Sequence, residues 1–566
     1  MTLKESLEHT VQKHADKVFM RHKRGGEWRT VTYAQFQEQV RTASEFLYRA
    51  CHVRPGDRVA LIAANSPEWA VAHYGITGIG AVAVPTDVKL REQEISHILN
   101  DSQATVAIAD SQVYPILREL ESSCPTLRHV VLFNFRGKPL DLPVPGSTRV
   151  TYREFDALMA SHAAAAKARD AAYNRVHPRD EDVAAFLYTS GTTGRQKGAM
   201  LTHLNFIANF NSLDAGIEIL PTDNFLVILP FHHAFAFTTS LVTPICAGIE
   251  ISFVESLRTI SENIRETHPT ALLAVPLLLE KMRDKIMAGL RANKAGWLLW
   301  KMGLRAPIRK KILDNLGGRI RLIVSGGAPI DPAVLEDYEE LGLHPREGYG
   351  LTECAPVVCL SPYDQPPRRG SCGKVLPFVE MTALDPNEEG VGQLAVKGKN
   401  VMKGYYNNPS ATTEVFQDGW FLTGDLGYID ADNFVYITGR KKSLIVNREG
   451  KNIYPEEVEV QINRSPYIRE CVVLGYRESG ENVGEHVGII VVPEDDAIAA
   501  KEAEEKRKYS EKEIRALLLS EVKRLAEGLA PYKRPRRVQC RWEEFNKTAT
   551  GKIKRYLYAM DSAEVQ

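Results

Sequence analysis

The chain of 566 residues lacks several features that would assign it to an extracellular, membrane or nucleic-acid-binding class. Its eight cysteines are scattered and include no C-x-x-C pair, which argues against a structural zinc or a disulfide framework and fits a reducing cytoplasm. Basic and acidic residues number 71 each, so no net charge favours a nucleic-acid partner. Residues 1–17 are polar and contain no apolar run, so we do not expect a secretory signal peptide.

One stretch, residues 226–249, contains no Asp, Glu, Lys or Arg. It is interrupted by Pro230, His232, His233 and Pro244. Because polar and helix-breaking groups are costly to bury in lipid, we interpret this stretch as buried core and pocket wall and not as a membrane span. The composition, 44% hydrophobic and 25% charged, is ordinary for a soluble globular protein, and the length predicts about two to four domains.

Short apolar runs alternate with helix-like stretches in residues 55–110 and again in 224–325. This alternation is typical of βαβ units with a parallel sheet. Between the two blocks, an alanine-rich and charged stretch at 159–182 is expected to form a surface helix and a linker. Short β-type segments begin near residue 373, and a small unit with two strands and an amphipathic helix begins after 439–442.

These patterns predict an α/β fold with two domains of unequal size. Domain 1–440 is expected to contain parallel-sheet α/β subdomains and a small β-barrel-like part. Domain 441–566 is expected to be a small α+β domain.

The segment YTSGTTGRQKGAMLTH, residues 188–203, combines glycines, hydroxyl residues and one lysine. It does not fit the Walker phosphate loop, because Gln196 stands where that motif has its second glycine and Gly198 stands where it has a hydroxyl residue. Taken alone, the segment is either a polar turn before a helix or an anion cradle of a different design, in which backbone amides form a nest around a phosphate.

Five further segments accompany this loop in a fixed order. They are SGGAP (325–329), GYGLTE (348–353), TGDLGYID (423–430), ITGRKK (437–442) and NKTATGKIKR (546–555). Together the six segments resemble the adenylate-forming superfamily, which contains acyl-CoA synthetases, nonribosomal-peptide adenylation domains and insect luciferases. The resemblance covers nearly the whole chain and implies that ATP activates a carboxylic acid to an acyl-adenylate, with domain 1–440 binding acid and ATP and a mobile domain 441–566 carrying the catalytic lysine.

The resemblance assigns the first segment to the ATP phosphates. In such a loop glycines allow close backbone approach, hydroxyls donate hydrogen bonds and a lysine supplies positive charge. The residues concerned are Thr189, Ser190, Gly191, Thr192, Thr193, Gly194 and Lys197. The family usually has proline at the position of Gln196, a departure that removes no ligand but leaves the rigidity of the loop in question.

The resemblance also assigns the nucleoside and metal contacts. Tyr349 would pack on the adenine ring, and Glu353, with Thr192, would supply oxygen ligands to Mg²⁺. Asp425 would accept the ribose hydroxyls, and Arg440 would reach the ribose or phosphate. The complete adenine and ribose set is Gly326, Gly327, Ala328, Pro329, Gly348, Tyr349, Gly350, Thr352, Asp425 and Arg440.

Two lysines complete the implied mechanism. Lys552 matches the lysine that in this superfamily reaches the carboxylate and the α-phosphate, although Asn546 replaces the usual proline at the start of its motif. Lys442 matches the hinge position, where several relatives have aspartate. Without the resemblance, Lys552 and Arg440 would be interpreted as solvated surface charges.

The acid and its acceptor are indicated by other segments. Residues 230–248 resemble the acid pocket of luciferases and fatty acyl-CoA synthetases, where His233, Phe235 and Gly350 would lie along the acid. No Asp occurs in PFHHAFAF to bind an amino group, so an amino acid is not expected, and the adjacent histidines do not predict a metal site.

Gly450 and Lys451 resemble residues near the CoA tunnel, and no carrier-type serine motif follows Lys552, so CoA is the simplest acceptor.

Residues 294–311 combine tryptophans and leucines with six basic residues. A basic amphipathic segment with tryptophans is typical of an interfacial helix, and a similar insertion occurs in long-chain fatty acyl-CoA synthetases. A helix packed on the large domain with solvated lysines is the equally weighted alternative. The first interpretation adds a peripheral membrane contact to the cytoplasmic location.

Three functional hypotheses follow from the sequence. The first is a long-chain fatty acid–CoA ligase that uses ATP, Mg²⁺ and CoA. The second is an acyl–acyl-carrier-protein ligase or a medium-chain or aryl-CoA ligase of the same superfamily. The third is a non-catalytic nucleotide- or lipid-binding member, against which the presence of Lys197, Glu353, Asp425, Arg440 and Lys552 argues.

Overall fold

The computed structural model describes residues 1–135, 137, 139–144, 146–190, 195–478, 484–547 and 553–560. The chain divides into two compact units. The first contains Met1–Gly191, Arg195–Glu380 and Val396–Phe421, and the second contains Met381–Ala395 and Leu422–Gln566. The predicted boundary between residues 440 and 441 stays a prediction.

The strands are β1 Val18–Arg24, β2 Glu27–Thr32, β3 Arg58–Ile62, β4 Val82–Thr86, β5 Val106–Asp110, β6 His129–Phe133, β7 Thr151–Glu154, β8 Val183–Ser190, β9 Gln196–Thr202, β10 Asn224–Val227, β11 Glu250–Phe253, β12 Ala271–Ala274, β13 Leu322–Ser325, β14 Pro345–Gly350, β15 Val357–Leu360, β16 Lys374–Val375, β17 Val379–Leu384, β18 Gly392–Gly398, β19 Phe416–Gln417, β20 Trp420–Ile429, β21 Val435–Arg440, β22 Ile445–Val446, β23 Asn452–Ile453, β24 Ile468–Tyr476, β25 His486–Pro493 and β26 Arg537–Cys540.

The α-helices are α1 Leu3–His14, α2 Tyr33–Arg49, α3 Pro67–Gly78, α4 Glu92–Ser102, α5 Tyr114–Glu119, α6 Phe155–Ala166, α7 Ala172–Arg175, α8 His203–Gly216, α9 Ala234–Phe237, α10 Thr243–Ala247, α11 Ile260–Thr267, α12 Pro276–Ala292, α13 Lys294–Lys301, α14 Ala306–Asn315, α15 Pro332–Glu340, α16 Pro409–Val415, α17 Pro455–Ile462, α18 Asp495–Glu505 and α19 Glu511–Ala526. A π-helical turn, Thr238–Val242, joins α9 to α10.

The first unit contains two large sheets. One has seven strands in the order β7-β6-β5-β3-β4-β8-β9, and the other has nine in the order β16-β15-β14-β13-β12-β10-β11-β1-β2. Most neighbours in both sheets are parallel, as the alternation of apolar runs and helices predicts. Strands such as β3 and β12 are almost entirely buried, in keeping with sheets that are covered on both faces. The parallel α/β prediction is therefore confirmed.

The alanine-rich stretch begins with a surface helix, as predicted, because most residues of its part in α6 are exposed or half-buried. It is not a linker between two blocks of the fold, and that part of the expectation was wrong. The stretch follows β7 and precedes β8, and both of these strands belong to the seven-stranded sheet. Its helix α6 packs against α2, and Ala172 and Tyr173 of α7 are buried.

The second unit is small and mixed. Its hairpin β20–β21 is antiparallel, and β24, β25 and β26 form a three-stranded sheet covered by α17 and α19. Val473, Ile489 and Val491 of this sheet pack with Val458 and Leu518 of the two helices in one buried cluster. The predicted amphipathic helix corresponds to α19, and the predicted separate α+β C-terminal domain is confirmed.

Candidate active site

The phosphate-loop segment lies between two antiparallel strands. In the β8–β9 hairpin, Thr189 pairs with Lys197, and Tyr188 pairs with Gly198. A strand therefore follows the loop, whereas a helix follows a Walker loop, so the segment is not a Walker loop. A Cβ added to Gly198 would lie 3.1 Å from the Tyr188 ring, so this glycine is needed for close packing inside the hairpin.

Lys197 and Glu353 both contact Tyr405. The Lys197 Nζ atom lies 5.3 Å from the centre of the Tyr405 ring, and the Tyr405 hydroxyl donates a 2.8 Å hydrogen bond to Glu353 Oε1. Burial raises the pKa of the Tyr405 phenol, and the neighbouring Glu353 charge raises it further, so the phenol stays protonated and donates. The Tyr405 side chain therefore contacts two separate motifs: its ring contacts the Lys197 ammonium, and its hydroxyl contacts the Glu353 carboxylate.

The backbone of residues 402–406 holds this arrangement in place. Met402 N donates to Glu353 O at 2.8 Å, and Tyr406 N donates to Gly198 O at 2.8 Å. Met200 N in β9 in turn donates to Gly404 O at 2.9 Å. The segment is therefore bonded to Gly198 and Met200 of β9, the strand that contains Lys197, and also to Glu353.

The SGGAP segment follows β13 and lies against the proposed acid pocket. A Cβ on Gly326 would meet the Phe235 ring at 3.0 Å, so glycine allows a close approach between this segment and the proposed acid pocket. Gly327 has a φ of +85°, a left-handed conformation that glycine adopts without strain. Ala328 and Pro329 complete the turn.

GYGLTE leaves the same sheet at β14, the neighbour of β13. Tyr349 is half-buried and pairs with Cys359 of β15, while Gly350 is exposed and reaches the Pro356 carbonyl so closely that a Cβ there would lie 2.0 Å from its oxygen. Gly348 also has little space, since its Cβ would lie 3.2 Å from Leu360. Thr352 and Glu353 then form a 3₁₀ turn.

The acid-pocket segment brings two histidines and an aspartate together. The Nε2 atoms of His232 and His233 are 3.1 Å apart, and His232 Nε2 lies 3.7 Å from Asp87 Oδ2. Burial lowers the pKa of both imidazoles, so they are neutral near pH 7. Asn65 fixes the start of the segment, because it donates to Leu229 O and accepts from Phe231 N, both at 2.7 Å.

In the second unit, Asp425 and Arg440 form an ion pair across the β20–β21 hairpin. Arg440 Nε lies 2.8 Å from Asp425 Oδ1, and the side chains are 45% and 5% exposed respectively. The Thr423 hydroxyl accepts from Asp425 N at 3.0 Å and donates to Leu394 O at 2.7 Å. The two residues assigned to the ribose are therefore adjacent, and the arginine holds the carboxylate in a fixed position.

The residues assigned to the hinge and to CoA are on the surface of the second unit. Lys442 is exposed within a 3₁₀ turn, Lys441–Ser443. Gly450 has a φ of +74° in the turn between β22 and β23, where Asn447 accepts from the backbone of Lys451 at 2.8 Å. The Lys451 ammonium lies 4.7 Å from the centre of the Tyr532 ring.

Several assigned residues lie outside the described residues. They are Gly191, Thr192, Thr193, Gly194 and Lys552, and the side chain of Ser190. The contacts assigned to them stay predictions.

The residues present fit a magnesium nucleotide. Mg²⁺ takes one or two protein carboxylates together with phosphate oxygens, and Glu353 offers such a carboxylate with its orientation set by Tyr405. Within the described part of the chain, no group of three or more His, Cys, Asp or Glu side chains is arranged to hold a metal on its own. Glu353 would therefore act with the nucleotide phosphates as co-ligands.

The sequence interpretation missed Tyr405 and Asp87. Both are far in sequence from the motifs that they contact, and each stands in a segment without a recognised pattern. For Tyr405, the signal in the sequence is the glycine that precedes it. In the structure Gly404 has a φ of +136°, which lies in the range that favours glycine. For Asp87, the sequence offers no signal other than its position directly after β4.

The basic segment 294–311 forms two helices, α13 and α14. Trp300 is 6% exposed within the hydrophobic core, and Trp297 packs against the same core. The exposed apolar side chains are instead Leu298, Leu299, Met302 and Leu304. The tryptophans therefore behave as the packed-helix interpretation predicts, and a separate apolar strip faces outward beside the basic residues. No helix in the described ranges is long and apolar enough to span a membrane.

Comparison with known proteins agrees with this geometry. Residues 7–406 match the AMP-binding enzyme family, and residues 457–552 match the AMP-binding enzyme C-terminal domain. The chain is 32% identical to long-chain-fatty-acid–CoA ligase FadD15 of Mycobacterium bovis over 80% of this chain and 76% of the relative. It is 30% identical to a long-chain-fatty-acid–CoA ligase of Salmonella typhimurium over 98% and 93%.

A solved structure extends the likeness to the fold. The structure of a Mycobacterium tuberculosis fatty acyl CoA synthetase aligns with a TM-score of 0.66 and 26% identity, covering 98% of this chain and 96% of the other. The six motifs, the Lys197–Tyr405–Glu353 arrangement and these matches lead to one conclusion. The chain belongs to the AMP-binding enzyme family.

Proposed function

We propose that this protein is an AMP-forming acid–thiol ligase that converts a long-chain fatty acid to its acyl-CoA thioester. In the first step a carboxylate oxygen attacks the α-phosphorus of ATP, and pyrophosphate leaves. In the second step the sulfur of CoA attacks the acyl carbonyl, and AMP leaves. The observation that carries the proposal is the contact of both Lys197 and Glu353 with Tyr405, because it places a cation and a metal-type carboxylate beside the phosphate loop.

The first step joins an anion to a polyanion, so charge neutralisation and positioning dominate it. Lys197 would neutralise phosphate charge at the end of the β8–β9 hairpin, and Glu353 would hold Mg²⁺. When bound, Mg²⁺ supplies Lewis-acid stabilisation of the phosphate oxygens. Asp425 would accept the ribose hydroxyls, with Arg440 orienting its carboxylate, and Tyr349 would pack against adenine.

The acid would lie along His233 and Phe235. Because burial lowers the pKa of both histidines, they offer hydrogen bonding without positive charge beside a segment that is otherwise apolar, which suits an alkyl chain. Each methylene buried contributes about 0.8 kcal/mol, which favours a long chain over acetate or benzoate. The family resemblance implies a length of roughly twelve to eighteen carbons. The names of the two relatives support the same substrate class.

CoA is the proposed acceptor, with Gly450 and Lys451 beside its path. Within the same family, the alternative acceptor is an acyl-carrier-protein thiol, and the alternative acid is a medium-chain or aryl acid.

Lys552 would be the catalytic lysine of the first step, carried by the second unit and moved about Lys442. The protein would work in the cytoplasm.

Pyrophosphate release with a panel of acids, with and without CoA, tests this function. We expect release with dodecanoate to octadecanoate, and a thioester product detected by mass spectrometry only when CoA is present. Release with benzoate or acetate at an equal or higher rate would contradict the long-chain assignment. A thioester formed on carrier protein but not on CoA would establish the alternative acceptor.

A peripheral membrane contact is proposed for the exposed strip of α13 and the residues that follow it. The strip consists of Leu298, Leu299, Met302 and Leu304, and the exposed lysines around it are Lys294, Lys301, Lys310 and Lys311. Apolar side chains beside ammonium groups match an anionic lipid surface, which is also where long-chain acids partition.

A further inference from the structure

The end of the last motif contains an arginine to which the proposed mechanism gives no role. Arg555 stands three residues after Lys552 and is 23% exposed. Its Nη1 lies 2.7 Å from Glu459 Oε1 and its Nη2 lies 3.0 Å from Glu459 Oε2, so the pair is bidentate. A solvated surface arginine would not make both bonds to a carboxylate that is itself only 15% exposed.

Further contacts extend this ion pair into a network. Arg555 also donates to Val473 O of β24, and Val473 N donates to Glu459 Oε1 at 2.6 Å. Glu456 lies 3.4 Å from the same guanidinium. Burial raises the pKa of the Glu459 carboxyl, and the Arg555 charge opposes that rise. The network ties residue 555 to both α17 and β24.

The two chain segments that flank residues 548–552 are fastened to each other. Lys547 and Ile553 form an antiparallel bridge, and Lys554 N donates to Asn546 O at 2.8 Å. Asn546 N in turn donates to the Tyr558 hydroxyl at 2.6 Å. Residues 548–552 themselves lie outside the described residues. The segments on either side of them, residues 545–547 and 553–558, are joined by these hydrogen bonds, and together we call them the base.

This base is anchored on the sheet of the second unit. Phe545 is buried with Val472, Ile490 and Val492, and Ile553 and Tyr558 pack against the same cluster. Lys547 also forms a 2.6 Å ion pair with Glu470 of β24. Apolar packing therefore attaches the base to the sheet, and the bidentate Arg555–Glu459 pair attaches it to α17.

We infer that Arg555 is a positioning residue that, through its bidentate pair with Glu459, fixes the base from which Lys552 acts in acyl-adenylate formation. The inference rests on the proposed function. A displacement of the order of 1 Å at a reacting group can cost about a hundredfold in rate, so a loosened base should slow the step that uses Lys552. It should not slow attack by CoA on an acyl-adenylate that already exists.

The test measures the two half-reactions separately in the full chain. Acid-dependent exchange of pyrophosphate into ATP reports the first, and consumption of supplied acyl-adenylate by CoA reports the second. Arg555→Met leaves Glu459 buried and unpaired, which alone destabilises a protein. The double variant Arg555→Met/Glu459→Gln removes both charges and keeps an oxygen that accepts from Val473 N, and removal of both charges of a buried pair is often neutral for stability.

We expect both variants to lose at least about tenfold in exchange, with thioester formation from supplied acyl-adenylate within about twofold of the wild type. The double variant should recover the thermal midpoint but not the exchange rate. Arg524→Met is the matched control, because Arg524 also forms a bidentate-type contact, with Glu521 in α19, away from the base. It should leave both half-reactions unchanged.

Two results would overturn the inference. One is recovery of exchange together with stability in the double variant, which would make the pair structural only. The other is an equal loss in both half-reactions. Failure of the wild type to catalyse acid-dependent exchange would instead overturn the proposed function, and the inference with it.

Discussion

The Tyr405 hydroxyl donates to the Glu353 carboxylate at 2.8 Å, within a segment whose backbone is bonded to β9 on one side and to Glu353 itself on the other. This bond joins two motifs that are distant in sequence. It also leaves the carboxylate oriented by a neutral donor, because burial keeps the phenol protonated. The metal-type oxygen is therefore held in place before a nucleotide arrives, which reduces the entropy lost on binding.

Tyr405→Phe should lower the rate of acyl-adenylate formation by about tenfold, the size expected when a hydrogen bond to a charged acceptor is lost. The ring remains, so the Lys197 contact is kept and the effect isolates the hydroxyl. Acid-dependent pyrophosphate exchange, measured over a range of magnesium concentrations, is the readout. We expect partial recovery at high magnesium, since a poorly oriented carboxylate weakens metal binding.

Tyr406→Phe is the matched control for that experiment. Its ring stacks on Phe186, and its hydroxyl donates an exposed 3.3 Å hydrogen bond to Gln103. Exchange by this variant should match the wild type. Equal losses in the two variants would show that the effect arises from the fold and not from Glu353.

Glu347 predicts a dependence of stability on pH. Burial raises the pKa of this carboxyl to about 7, against the opposing hydrogen bond from the Ile330 backbone. Since the folded-state pKa lies above the unfolded value near 4.5, the unfolded state binds fewer protons between these values. Stability should therefore fall as pH rises from about 4.5 to 7 and then level off.

Urea unfolding of the wild type and of Glu347→Gln between pH 5 and 8 measures this effect. The variant should lose less stability than the wild type over that range, because glutamine does not titrate. Glu181→Gln, an exposed substitution in the same unit, should follow the wild-type profile. Parallel profiles for wild type and Glu347→Gln would contradict the assignment.

The exposed strip of α13 predicts which residues support a lipid contact. Leu298→Ser/Met302→Ser should reduce co-sedimentation with anionic vesicles while leaving thermal stability nearly unchanged, because both side chains are about 60% exposed. Trp300→Ala should instead lower thermal stability, since it leaves a cavity in the core.

Leu257→Ser serves as the matched control, because Leu257 is 71% exposed and stands outside the basic segment 294–311. It should sediment with vesicles as the wild type does. Binding that is weak in all proteins, or insensitive to salt, would favour helices packed on the domain with solvated lysines.

Local patterns predicted the strands well because buried parallel strands are continuous apolar runs. The run around Ala271–Ala274 could be recognised for that reason. The alanine-rich stretch was correctly predicted to contain a surface helix, but not its place in the fold, because a polar connection inside one sheet has the same composition as a linker between two blocks. Trp300 shows the same limit, since an amphipathic pattern does not say whether its apolar face meets protein or lipid.

The site was predictable where chemistry is carried by a motif, and not where it depends on tertiary contact. The sequence singled out Lys197 and Glu353, but not the tyrosine that joins them, because residues 402–406 reach them only through backbone pairing. The ion pair between Asp425 and Arg440 likewise follows from hairpin register, which the separate motifs TGD and GRKK do not reveal.

The two half-reactions also test the proposed alternation of the second unit. A lysine held at the acyl carbonyl would obstruct CoA, so the domain should carry Lys552 in for the first step and out for the second. Lys552→Ala should reduce acyl-adenylate formation by about a hundredfold or more, the size seen when one transition-state charge contact is removed. Thioester formation from supplied acyl-adenylate should be much less affected.

Lys442→Pro should show the reverse pattern. Lys442 is exposed in a short 3₁₀ turn, and proline there restricts the backbone rotation on which a hinge depends. The first step should be spared, because it needs only one of the two domain positions, whereas the second should slow. Lys441→Pro is not a suitable control because Lys441 bonds Gln393. Lys13→Ala, at an exposed lysine of the first unit, is used instead. If Lys552→Ala slows both half-reactions equally, the alternation proposal is wrong for this protein.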